Sequence, residues 1–341
     1  MLISKQILNS YNFARNSDIV FSEILTHDQF NKLNIEDYTI VNKNSRFVFY
    51  KLNKFHLKEN DVIFCNTDMV KSLFSLLKDL KNLKNIKLIT NQTDTLIDKS
   101  LFNLKPNCIK DWYSVNVGFV SENLIPIPLG LSNNYSPKNI FVEDIEFSGM
   151  RKDTKNLLYL NFVANTNSKE RAEIYNTFKE IEWAYADSPK LNLDEYQKSL
   201  EQYRFVLSPH GNGIDTHRVW ETLYSGNIPV TKSHHTFDNV TDLPILFVEE
   251  YEHITHEMLI NYYESLEIEN IDYEKLNIDF WIKKIKNTKI QSKESQEIKA
   301  KKLATELFIF NYKFKSKAQS KKKKLLYYLK KIRKIKKLFK K

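Results

Sequence analysis

Glycine is scarce in this chain, with six residues in 341, and cysteine is scarcer, with two. Cys65 and Cys108 both sit in apolar surroundings, which argues against a disulfide framework and makes the reducing cytoplasm the expected setting. No apolar run approaches the roughly 20 residues that cross a bilayer, the longest being pieces such as residues 243–248. The opening Met1-Leu-Ile-Ser-Lys-Gln lacks the apolar core of a signal peptide. Six of the eight histidines fall between His210 and His256. Their spacings match no standard zinc motif, which leaves loop positions or ligand contacts for them.

The few glycines are clustered. Gly211, Gly213 and Gly226 all lie in the window Ser208-Pro-His-Gly-Asn-Gly-Ile-Asp-Thr-His-Arg-Val-Trp-Glu-Thr-Leu-Tyr-Ser-Gly-Asn-Ile-Pro-Val230, which reads as strand, tight loop, helix and second strand. Lacking a Cβ, glycine serves sharp turns and close approach to a ligand. Asp215 or Thr216 can cap the helix, Val219, Trp220 and Leu223 form its apolar side, and Gly226 falls where a left-handed C-terminal cap is expected. A glycine loop feeding a helix start offers N–H groups and the positive end of the dipole to an anion. Arg218 and Glu221, three apart on one face, add a bidentate donor for phosphate oxygens and an acceptor for the vicinal hydroxyls of a ribose. The set fits a nucleoside diphosphate. It also suits a plain turn followed by a solvated ion pair.

Around this window the pattern alternates. Strands are expected over residues 38–41, 46–52, 61–65, 86–90 and 124–128, with a helix over 68–83 on which Val70, Leu73, Phe74, Leu77 and Leu80 recur at helical spacing. A second series has strands at 157–162, 182–186, 203–207, 228–231 and 243–248, with helices at 168–178, 194–200 and about 255–264. Such alternation predicts parallel sheets covered by helices. The length allows two cores, since one seldom grows past about 250–300 residues. The expectation is an α/β chain of two Rossmann-like domains, residues 1–145 and 146–285, facing a cleft, then a helical segment over 286–312 and a basic tail over 313–341.

The net charge of +10 divides unevenly. Residues 313–341 carry fourteen Lys and one Arg with no acid, which leaves 37 basic against 42 acidic residues before them. A body of about −5 argues against a nucleic-acid-binding core. In the tail, Leu325, Tyr328 or Leu329, Ile332, Ile335 or Lys336, and Phe339 step at three- and four-residue intervals among lysines. That is the pattern of a basic amphipathic helix lying on an anionic membrane through residues 321–341. A solvated lysine tail and a polyanion-binding tail are the alternatives.

The glycine window resembles the C-terminal motif of exostosin-like glycosyltransferases, approximately Ser-Pro-x-Gly-Asn-Gly-x-Asp-x-His-Arg-x-Trp-Glu-x-Leu-x-x-Gly-x-x-Pro, matching every fixed position from Ser208 to Pro229. Thr90-Asn-Gln-Thr-Asp94, residues 109–116 and Ile125-Pro-Ile-Pro-Leu-Gly130 are similar to further segments of that family, and the resemblance spans roughly residues 60–285. It implies a GT-B fold, with the sugar nucleotide held mainly by the C-terminal domain and the acceptor in the cleft. It carries Arg218 to the diphosphate and Glu221 to the ribose. Arg171 becomes a second phosphate contact, with a helix-surface charge as the plain alternative, and Ser208, His210, Gly211, Asn212, Gly213 and Asp215 line the loop. Asp94 is the candidate base, though a lone Asp in a polar loop also suits a turn.

Metal-dependent transferases of the other common fold usually hold a cation with Asp-x-Asp. This chain has none, so no essential divalent ion and no cofactor are expected. The implied activity is transfer of a sugar from a nucleotide-sugar donor to a surface-glycan or lipid-linked acceptor, by a cytoplasmic enzyme peripheral on the inner face of the membrane. A fucosyltransferase-like GT-B enzyme would keep Arg218 and Glu221 with another base and sugar. A noncatalytic nucleotide- or glycan-binding protein would bind without turnover.

Overall fold

The computed structural model describes residues 4–314, apart from 81, 137–138, 146, 148, 151–153, 155, 164–165, 188–190, 288–293 and 304, together with 318 and 321. The expected membrane helix over 321–341 therefore lies outside the described residues, save Lys321.

The first half holds strands β1 (Ile19–Leu25), β2 (Tyr38–Lys43), β3 (Val48–Leu52), β4 (Lys54–Lys58), β5 (Val62–Asn66), β6 (Ile86–Asn91), β7 (Ile109–Ser114) and β8 (Leu124–Pro126). Its helices are α1 (Ser10–Arg15), α2 (His27–Asn31), α3 (Val70–Leu77) and α4 (Lys99–Phe102). All the strands but β4 form a seven-stranded sheet of order β2-β3-β1-β5-β6-β7-β8. It is parallel from β1 to β8 and antiparallel at the β2-β3-β1 end. Strands β5 and β6 are buried at every position, as strands covered on both faces must be. Ile63, Cys65, Leu88 and Trp112 meet Leu73, Phe74 and Leu77 of α3 on one face. Val62, Phe64, Ile89 and Tyr113 face the other way.

In the second half, β9 (Asn156–Leu160), β10 (Ala184–Ala186), β11 (Tyr203–Leu207), β12 (Ile228–Lys232) and β13 (Leu246–Val248) form an all-parallel sheet of order β10-β9-β11-β12-β13. One face is covered by α5 (Ser168–Phe178) and α8 (His256–Ser265) through Ile174, Phe178 and Leu259. The other is covered by α6 (Leu193–Leu200) through Tyr196 and Leu200. The chain runs outward from β9 to β10 and then crosses back to β11. The loops leaving β9 and β11 therefore part in opposite directions and open a crevice at the carboxyl ends of the strands.

Helices α7 (His217–Tyr224) and α9 (Ile278–Ile285) join the halves. Val219, Trp220, Leu223 and Trp281 share one buried core with Phe13 of α1 and with Val62, Phe64 and Ile89 of the first sheet. The Tyr224 hydroxyl accepts the Leu8 N–H at 2.8 Å in the same layer.

Strands β1, β4 and β7 and helices α1, α2, α4 and α9 were not expected from the sequence, and two further segments fold otherwise than expected. Strand β1 was not anticipated, because buried Ser22 and Glu23 interrupt its apolar run. The helix expected over 68–83 is a 3-10 turn over Thr67–Met69 followed by α3, which ends at Leu77. The segment expected to be helical over 286–312 contains strand β14 (Ser295–Lys299), antiparallel to β4. Only Ile298 of β14 is buried, too little for an apolar period to show. Residues 305–314 that follow are helical.

Candidate functional site

The glycine window folds as its local signals require. β11 ends in the loop, α7 starts after its N-cap Thr216, and Gly226 takes the left-handed φ of +76° just past the helix. Gly211 and Gly213 do not have positive φ, so their role is space. A Cβ on Gly213 would lie 3.1 and 3.3 Å from the Asn116 amide and 3.4 Å from Asp94 Oδ1. Glycine lets this loop approach the loops that follow β6 and β7.

Three N–H groups of the loop are already bonded. Gly211 N–H donates to Gly213 O at 3.0 Å, and those of Ile214 and Asp215 donate to Asn116 Oδ1 at 2.9 and 3.1 Å. These three are therefore not an anion cradle. Cationic side chains lie beside them. Arg171 on α5 donates from Nε to His210 O at 3.0 Å, from Nη2 to Pro209 O at 3.0 Å, and from Nη1 to Val163 O and Thr166 Oγ1 at 3.2 and 2.8 Å. It clamps the loops after β9 and β11 together. Burial, with the nearby Arg218 guanidinium, lowers its pKa to about 10. Two guanidiniums held close in a partly desolvated place favour an anion between them.

Arg218 Nη1 donates to the Tyr196 hydroxyl at 2.9 Å, and that hydroxyl donates to Glu221 Oε2 at 3.0 Å. Glu221 keeps only 4% of its surface exposed. The tyrosine thus stands between the cation and the carboxylate expected to face a ribose. Asp215 is fully buried and ties the halves together. Its Oδ2 accepts the Leu129 N–H and its Oδ1 the Trp220 indole N–H, both at 2.8 Å. Burial pushes its carboxyl up to about 7.

The opposite wall is built from the carboxyl ends of the first sheet. After β6 the chain turns at Gln92, whose φ of +71° is left-handed. Its side chain locks onto β1, accepting from Ile24 N–H at 2.8 Å and donating to Ile24 O at 3.0 Å. That anchor carries exposed Asp94 into the cleft. Asn91 is fully buried, and its Nδ2 has no hydrogen-bond partner.

Between the walls lies a cleft of about 480 Å³, lined from the first half by Asn91, Asp94, Asn116 and Asn133 and from the second by Arg171, Gly211, Asn212, Gly213, Asp215 and His217. Ordinary ligand pockets have about this volume. Ser208, His210, Arg218 and Glu221 are not among its lining residues. Ser208 is fully buried and its Oγ donates to Val206 O at 3.2 Å. His210 lies behind the loop, its ring edge-on to His234, with burial lowering its pKa to about 4. Sequence reasoning missed Asn116, Asn133 and Tyr196. The only signal for Tyr196 was its four-residue spacing from Leu200 on the buried side of α6.

Among the described residues, no group of three or more His, Cys, Asp or Glu side chains converges as a metal site would require, and no helix is long and apolar enough to cross a membrane. No protein-family model matches the chain, and no curated protein shows significant similarity to it.

Proposed function

We propose that this protein is a GT-B glycosyltransferase, moving a sugar from a nucleoside-diphosphate donor to a glycan or lipid-linked acceptor. The observation that carries the reading is the cleft itself. It lies at the carboxyl ends of the parallel strands of two α/β sheets, with a guanidinium pair beside one wall and Asp94 projecting from the other. Crevices at that end of an open parallel sheet, where strand order reverses, are where such folds bind ligands.

In this mechanism Arg218 and the free Nη2 hydrogen of Arg171 take the diphosphate. As the bond from the anomeric carbon to the phosphate oxygen breaks, its electron pair leaves with the diphosphate. Cations already fixed by carbonyls and Tyr196 stabilise that charge with little reorganisation. Asp94 accepts the proton of the acceptor hydroxyl as its oxygen bonds to the anomeric carbon. The ribose binds Glu221 by displacing the Tyr196 hydroxyl. The cations take the place of a divalent ion, so transfer proceeds in EDTA. The tail over 321–341 holds the enzyme on the inner face of an anionic membrane.

A thermal-shift panel of nucleoside diphosphates tests the binding part, and the preferred base narrows the donor. With the matching donor, Arg218→Ala is expected to lower transfer about 10²–10³-fold with an unchanged circular dichroism spectrum. Stabilisation by no nucleotide at millimolar concentration, or full activity in the Arg218 variant, refutes the assignment. Nucleotide binding without turnover of any donor would favour the noncatalytic reading.

A further inference from the structure

The helix over 305–314 carries two opposed faces. Its inner face packs on the seven-stranded sheet, with Thr305 and Ile309 buried, Phe308 and Tyr312 against the first core, and the Tyr312 hydroxyl donating to Asp68 Oδ2 at 3.2 Å. Its outer face shows Leu307, Phe310 and Phe314, with Leu303 on the turn before, at 55%, 67%, 65% and 69% exposure. At about 100° per residue, these four positions fall within an arc of roughly 60°. Single exposed apolar residues are ordinary, but an aligned stripe on one helix marks an interaction surface.

Beyond the stripe the sequence stays apolar and basic, with Leu325, Ile332 and Phe339 set among lysines. Charge decides the partner. Residues 313–341 carry fifteen basic residues and no acid, while residues 301–312 add Lys301 and Lys302 against Glu306 alone. A second copy would bring two such cationic segments together. An anionic bilayer offers both acyl chains for the rings and headgroups for the lysines.

We infer that the Leu303–Leu307–Phe310–Phe314 stripe is a folded membrane-docking surface, seating the body of the protein on anionic phospholipid. This rests on the membrane part of the reading above and extends it from the tail to the body.

Co-sedimentation of the full chain with vesicles of phosphatidylglycerol and phosphatidylcholine in equal parts tests the surface. Leu307→Glu/Phe310→Glu is expected to bind about tenfold more weakly or worse, and Leu307→Trp/Phe310→Trp at least as tightly as the natural protein. The thermal shift by nucleoside diphosphate should be the same in all three, which separates failure of the surface from failure of the transferase reading. Equal vesicle binding by the glutamate variant overturns the inference and leaves only the tail. So does a lipid-free dimer that the glutamate variant converts to monomer, which would make the stripe an interface between copies.

Discussion

The two walls of the cleft differ in kind. The wall from the five-stranded sheet carries a cation. Arg171 is held by three carbonyls and a hydroxyl beside Gly211, Asn212 and Gly213, while Arg218, bonded to Tyr196, lies outside the lining. The wall from the seven-stranded sheet offers Asn91, Asn133, Ser10 and the carboxylate of Asp94. An oriented, partly desolvated cation suits a diphosphate. Amides and hydroxyls, which both donate and accept, suit a neutral polyol. Under the proposed function the contrast becomes a division of labour: donor on one wall, acceptor on the other, with the chemistry where Gly213 lets them approach.

The sharpest way to break that division is Asp94→Asn. If the acceptor wall supplies the base, transfer falls about 10²–10⁴-fold while affinity for the nucleoside diphosphate stays within about twofold. Single-turnover rates alongside calorimetric titration separate the two. A loss of nucleotide affinity equal to the loss of rate would place Asp94 on the donor side, and the walls would no longer divide the work.

The seam between the walls is tested by Asp215→Asn. The Asp215 carboxyl rises from an ordinary value of 3.8 to about 7 in the fold, so the folded state holds its proton more tightly than the unfolded chain does. Stability from this group is complete below pH 4 and is lost as pH climbs to 7, by up to about 4 kcal/mol for a shift of about three units. Asparagine cannot ionise. Relative to the natural protein, the variant should therefore gain stability between pH 4 and 8, measured by urea unfolding. A difference that does not change with pH would show that Asp215 is ionised in its buried place.

What the sequence made legible was local. The order β11, loop, α7 and β12 followed from glycine placement, apolar spacing and a C-terminal cap, all signals within a few residues. The polar partners did not follow. Asn116 reaches Ile214 and Asp215 across nearly a hundred residues, and periodicity says which face is apolar, not which amide lies opposite. Arg171 was read as a phosphate contact, yet most of its donors hold loop carbonyls, because nothing in the sequence shows how two loops must be clamped. Strand β1 was lost to Ser22 and Glu23. Ser22 bonds the Asn66 N–H at 3.1 Å and Glu23 bonds Arg15, and buried polar pairs of that kind erase the apolar alternation that marks a strand.

The smallest expected effect is the most discriminating about the donor wall. The Tyr196 hydroxyl accepts from Arg218 and donates to Glu221, so at rest it fills the position assigned to a ribose hydroxyl. In Tyr196→Phe the carboxylate loses its partner in the free protein and regains one only from ligand. One net hydrogen bond is worth about 0.5–1.5 kcal/mol, so nucleoside-diphosphate affinity should rise about two- to tenfold while the free variant becomes less stable. The same comparison with a 2′,3′-dideoxy nucleotide should show no gain, because that ligand brings no hydroxyls to Glu221. If affinity falls instead, Tyr196 works as the splint that aims Arg218, and Glu221 serves the cation rather than the sugar.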